Sequence, residues 1–129
     1  MGFLVQKRVD LLEGFVLCSN QSSLRDYIFS FEEVDSILES TQLESTKEHS
    51  GSFLSCTVLD ATHSAMGRNP RSLDRGYMFY FFPSGQGCEE SKFRALLFWY
   101  AETIGESLEQ HRVWVHYDTM RYELRRKGG

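Results

Sequence analysis

The spacing of apolar positions changes several times along the chain, and each change marks an element. Gly14-Phe15-Val16-Leu17-Cys18-Ser19 is a short apolar run closed by a Ser/Asn cluster, which reads as a buried strand. Leu24, Ile28, Phe31, Val34 and Leu38 then recur at three- and four-residue steps, with Arg25, Asp26, Glu32, Glu33, Ser36 and Glu39 on the other side. That period predicts an amphipathic helix over 23–39, with Ser22 or Ser23 as N-cap and Asp26 completing a capping box. The polar stretch 40–52 has no period and reads as a loop or a frayed extension of the helix. Residues 53–60 alternate as a second strand, and 61–76 form a long connection holding Gly67, Pro70 and Gly76. Tyr77-Met78-Phe79-Tyr80-Phe81-Phe82 is the strongest strand pattern, stopped by Pro83-Ser84-Gly85-Gln86-Gly87. Phe93, Leu97, Tyr100, Ile104 and Leu108 mark a second helix opened by the acidic Glu89 and Glu90. A strand over 111–117 follows, and 120–124 returns as its hairpin partner across Asp118-Thr119.

The order β-α-β-β-α-β predicts an α+β fold of the ferredoxin-like, split-βαβ type. One antiparallel sheet carries two helices on one face and leaves the other face open. With 129 residues, the chain fits a single domain over 1–129, with an N-terminal extension over 1–13 and a basic tail over 125–129. The aromatic content of 14% supplies a core and excludes a disordered chain, while a formal charge of −4 argues against a globally basic nucleic-acid coat. Lys7 and Arg8 interrupt the first apolar run, no window is apolar for the ~18 residues of a membrane span, and Gln6 breaks a myristoylation pattern. Cys18, Cys56 and Cys88 are odd in number and far apart, as free thiols are. The expectation is an intracellular protein, cytoplasmic or nuclear, with no membrane partner.

One octad carries more than fold information. Arg75-Gly76-Tyr77-Met78-Phe79-Tyr80-Phe81-Phe82 resembles the RNP1 motif of the RNA recognition motif (RRM) family, fitting it at Arg75, Gly76, Tyr77, Phe79 and Phe82. Met78 stands where the family has a small residue and Tyr80 where it has an aliphatic one. Residues 14–19 match the companion RNP2 pattern at Phe15 and Val16, and 23–31 is similar to the family's first helix. Alternation puts Tyr77, Phe79 and Phe81 on one strand face and Met78, Tyr80 and Phe82 on the other. With the second set packed on the helices, the first set lies on the open face. There the resemblance implies that Tyr77, Phe79 and Phe15 stack unpaired bases, while Arg75, Arg71 and Arg68 contact phosphates. The plain alternative is that this strand is core, or half of a dimer interface.

Other constellations are weaker. Cys18 with His63 or His116 has an order that permits cysteine catalysis, but no local signature surrounds the thiol. Cys56, Asp60 and His63, or His111 and His116, lack the ligand spacing of a metal site. Gly85-Gln86-Gly87 lacks the Lys and Ser/Thr of a phosphate loop. Neither catalytic residues, a metal nor a cofactor is expected. Glu32, Glu33, Asp35, Glu39, Glu44 and Glu48 make an acidic arm. The functional expectation is a non-enzymatic, RRM-like module that binds single-stranded RNA. The alternative is a protein-interaction or regulatory module, as a homodimer through its sheet face, with the acidic helix as docking surface.

Overall fold

In the computed structural model, which describes residues 2–4, 12–63, 74–85 and 88–128, the apolar runs assemble into one five-stranded sheet. The elements are β1 (Gly14–Ser19), α1 (Phe31–Glu48), β2 (Leu54–His63), β3 (Asp74–Pro83), α2 (Glu90–Ser107), β4 (Arg112–Tyr117) and β5 (Met120–Arg125). The strand order is β2-β3-β1-β4-β5, and every neighbouring pair is antiparallel. This is the ferredoxin-like βαββαβ arrangement plus one C-terminal strand, as the element order predicted. Among the described residues, no helix is long and apolar enough to cross a membrane.

Strand alternation divides the sheet. Val16 and Cys18 of β1, Tyr77, Phe79 and Phe81 of β3, Leu54 of β2, and Val113, Val115 and Tyr117 of β4 are buried in one core. α2 contributes Phe93, Leu97, Tyr100 and Ile104, and α1 contributes Val34 and Leu38. The packing is close enough to restrict side-chain size: a Cβ on Gly14 would lie 2.4 Å from a methyl group of Leu97.

The first helix is displaced from its expected position. The span 23–30 is not helical, and α1 begins at Phe31 and continues to Glu48, so that most of 40–52 is the helix extension and not the loop. Ser30, not Ser22 or Ser23, is the N-cap. Its hydroxyl accepts the Glu33 N–H at 3.2 Å, while the Glu33 carboxylate accepts the Ser30 N–H at 3.0 Å, a reciprocal capping box. Ser22 instead holds a turn. Its hydroxyl accepts the Leu24 and Arg25 N–H groups and donates to Glu109. The second half of α1 escaped the periodicity because Thr41 and Ser45, both buried, occupy the core-facing positions after Val34 and Leu38. Their hydroxyls donate to the carbonyls of Ile37 and Ser52, so the inner face is polar in sequence yet satisfied in structure. The predicted 61–76 loop is shorter at both ends, since 61–63 and 74–76 extend β2 and β3.

Two consequences are measurable. A Cβ on Gly76 would sit 2.1 Å from the Cys18 carbonyl oxygen, a backbone atom that cannot turn aside. Gly76→Ala is therefore expected to cost about 3 kcal/mol, at the upper end of overpacking penalties, and to lower the melting temperature by roughly 10 °C. Phe79→Ala is expected to cost about 3–5 kcal/mol in a denaturant titration, whereas Tyr80→Ala, one residue on and facing away from the core, should cost about 1 kcal/mol. Equal costs would overturn the face assignment.

Candidate functional site on the open sheet face

The face away from the helices carries the second half of the alternation. Phe15 and Leu17 of β1, Met78, Tyr80 and Phe82 of β3, and Trp114 and His116 of β4 lie half-buried on it. Cross-strand register puts Phe15 between Tyr80 and His116, and His116 opposite Arg121 of β5. The result is an aromatic row: Phe15 and Tyr80 have ring centroids 5.0 Å apart, and Tyr80 and Phe82 5.5 Å. Beside it runs a cationic strip, with Arg121 4.0 Å from the Trp114 ring centroid and Arg112 5.6 Å from it.

The two strips meet at an open pocket of about 260 Å³, lined by Glu13, Phe15 and the 116–121 turn. The Tyr80 hydroxyl donates to the Glu13 carboxylate at the rim. That hydrogen bond first, and burial second, raise the Tyr80 pKa above the ordinary phenol value. Asp118 and Thr119 close the pocket in a two-residue turn with φ of 50° and 62°. This is the hairpin geometry that Asn-Gly adopts readily and a β-branched residue does not. Glu13 and Asp118 supply negative charge and Arg121 positive charge around aromatic surface. Such a pocket suits a flat, partly cationic ligand that also bears an anionic end.

The expected site residues divide differently. Tyr77 and Phe79 lie on the helix side, 5% and 0% exposed, so the strand faces are the reverse of the expectation. The physical reason is the register: Val16 and Cys18 point into the core, and their cross-strand partners Phe79 and Tyr77 must follow. The Tyr77 hydroxyl is occupied as well, donating to the Phe29 carbonyl at 2.9 Å. Phe15 is on the open face as expected. Arg75 is exposed at the start of β3, and its carbonyl accepts the Asn20 N–H at 3.2 Å. Arg68 and Arg71 lie outside the described residues. Sequence reasoning missed Glu13, Tyr80, Asp118 and Arg121, and weighed His116 only as a catalytic or metal-binding residue. The alternation Val113-Trp114-Val115-His116 already turned His116 outward.

Cysteine catalysis is not supported by the fold. Cys18 is buried and its thiol is pushed up to about 12 by burial alone, while His116 faces the opposite side of the sheet. The side chain of His63 lies outside the described residues. No cluster of three metal-ligating side chains occurs among the described residues.

No family model matches the chain, and no curated protein matches it in sequence. Solved structures do match it. A phage SAM lyase in its apo state aligns with a TM-score of 0.62 at 9% identity, covering 96% of this chain and 98% of that one. A phage SAM lyase in complex with S-methyl-5'-thioadenosine aligns with a TM-score of 0.64 at 10% identity, covering 98% and 99%. At such identity the likeness establishes a shared fold. The expected non-enzymatic RNA-binding module is corrected on this ground, because the full-length structural neighbours are those of an enzyme and two of the three expected base-stacking aromatics, Tyr77 and Phe79, are core. The protein-interaction alternative fits these neighbours no better.

Proposed function

We propose that this chain is a lyase acting on S-adenosylmethionine and releasing S-methyl-5'-thioadenosine, with its ligand on the open sheet face. The observation that carries the reading is the fold shared with a phage SAM lyase over nearly the whole length of both chains. The chemistry of the face agrees with it. S-adenosylmethionine presents a flat purine, a sulfonium cation and an amino-acid carboxylate. The Phe15–Tyr80–Phe82 row offers aromatic surface to the first two, and Arg121 offers a guanidinium to the third.

The named product defines the bond that breaks. It keeps the methyl group and the adenosyl group on sulfur, so cleavage falls between the sulfonium sulfur and the γ carbon of the aminobutyrate arm. The bonding pair goes to sulfur, which becomes a neutral thioether. The γ carbon completes its valence without water, either by loss of a β proton to a base or through a bond from the arm's own carboxylate oxygen. The positive charge on sulfur is dispersed along this path. Aromatic rings solvate the cation less strongly than water does, and so favour the charge-dispersed transition state over the ground state.

The pocket is smaller than the roughly 300–1,000 Å³ of sites that enclose a ligand of this size, and it opens on a flat sheet. The proposal therefore includes a homodimer through the sheet face, which the sequence offered only within its alternative reading: a second copy laid on the half-buried aromatics roofs the site. Light scattering should give a mass above that of one chain, and a monomer at micromolar concentration would remove this element.

The central test is direct. Purified protein incubated with S-adenosylmethionine should release S-methyl-5'-thioadenosine, read by chromatography. Tyr80→Ala and Arg121→Ala should each lower kcat/KM roughly 10-fold or more, the loss of about 1.4 kcal/mol. Absence of product from wild-type protein with an intact circular dichroism spectrum would overturn the reading.

A further inference from the structure

Two anomalies of different kinds meet in the open-face pocket. The first is a polar atom without a partner. His116 Nε2 is buried and makes no hydrogen bond, a condition shared among the described residues only with His49 Nε2. Native folds pair nearly all such atoms, and each exception calls for a physical reason. The second is the backbone of the adjoining turn, where Thr119 holds a φ of 62°, an unfavourable conformation for a β-branched side chain. Backbone strain of this kind concentrates where a ligand is held.

The groups facing His116 define what it can bind. Arg121 lies directly across on β5 and Phe15 directly across on β1. Glu13 and Asp118 line the same pocket, and the Tyr80 hydroxyl is committed to Glu13. Burial first, and the Arg121 guanidinium second, hold His116 below the ordinary imidazole range, so the ring is neutral at pH 7. A neutral imidazole offers one donor and one acceptor. It complements an uncharged hydroxyl or a purine edge, leaving the carboxylate of a ligand to Arg121. Phe15 beside it provides a stacking surface for the same purine. Arg121 is exposed, so its side chain has room to yield as a ligand reaches Nε2.

We propose that His116 is the specificity-determining residue of this pocket, recognising the nucleoside portion of the ligand through a hydrogen bond to Nε2. The assignment rests on the lyase reading and deepens it. His116 binds the part of the substrate that persists in the product, so it acts on affinity and not on the bond-breaking step.

The test uses S-methyl-5'-thioadenosine as the binding probe and S-adenosylmethionine as substrate. His116→Phe keeps a ring and removes the nitrogen. It should weaken thioadenosine binding roughly 10-fold in calorimetry and raise KM by a similar factor, with kcat within about two-fold of wild type. His116→Gln places an amide nitrogen at similar reach and should recover most of the affinity. In wild-type protein, saturation with the thioadenosine should shift the His116 Nε2 resonance in nitrogen-detected NMR, a readout that needs no variant. If wild-type protein binds the thioadenosine and cleaves the substrate, but His116→Phe matches it and the resonance stays put, the His116 assignment falls and the lyase reading stands. If wild-type protein neither binds nor cleaves, both fall.

Discussion

β1 is the constraint from which the rest of the molecule follows. It is hydrogen-bonded on both sides, to β3 and to β4, so its residue parity propagates across the sheet without room for adjustment. Val16 and Cys18 point to the helices, and this choice sends Phe79, Tyr77 and Val115 inward with them. By the same rule Phe15 sends Tyr80 and His116 outward. A one-residue slip would exchange a core of valine and phenylalanine for one containing histidine and arginine. The core and the candidate site are therefore two outcomes of a single register.

That coupling also separates what was legible in the sequence from what was not. β1 was legible to the residue, because Gly14 and the Ser19-Asn20 cluster bound it on both sides. β4 and β5 were legible because Val113 and Val115 alternate with polar neighbours, and Asp118-Thr119 separates two strand patterns. The parity of β3 was not. It carries aromatics at both phases, so no polar residue breaks the symmetry between its faces, and only pairing with β1 decides it. α1 misled for a related reason. Ser22 has the chemistry of a helix cap but spends it on a turn anchored to Glu109, while the true cap lies eight residues later at Ser30.

The candidate site joins groups that no local motif could have linked. Glu13 precedes β1, Tyr80 sits mid-β3, and His116 and Arg121 flank the β4–β5 turn. Tertiary pairing alone brings them together, and β5, the strand added to the four-stranded arrangement, contributes Arg121. The added hairpin thus widens the sheet, supplies the cation of the pocket and closes it with a strained turn.

The central position of β1 has a cost that belongs to synthesis and not to the finished molecule. Gly14 pairs with Phe81 on one side and Tyr117 on the other, so the first strand of the sheet in chain order gains its second neighbour only when β4 follows. At translation rates of roughly 5–20 residues per second, β1 waits for several seconds before β4 exists. Until β3 follows, both hydrogen-bonding edges of this apolar strand stand open, and from then until β4 one still does, a ready template for another chain. Its brevity, six residues ending at Ser19, limits how much of that template is ever offered.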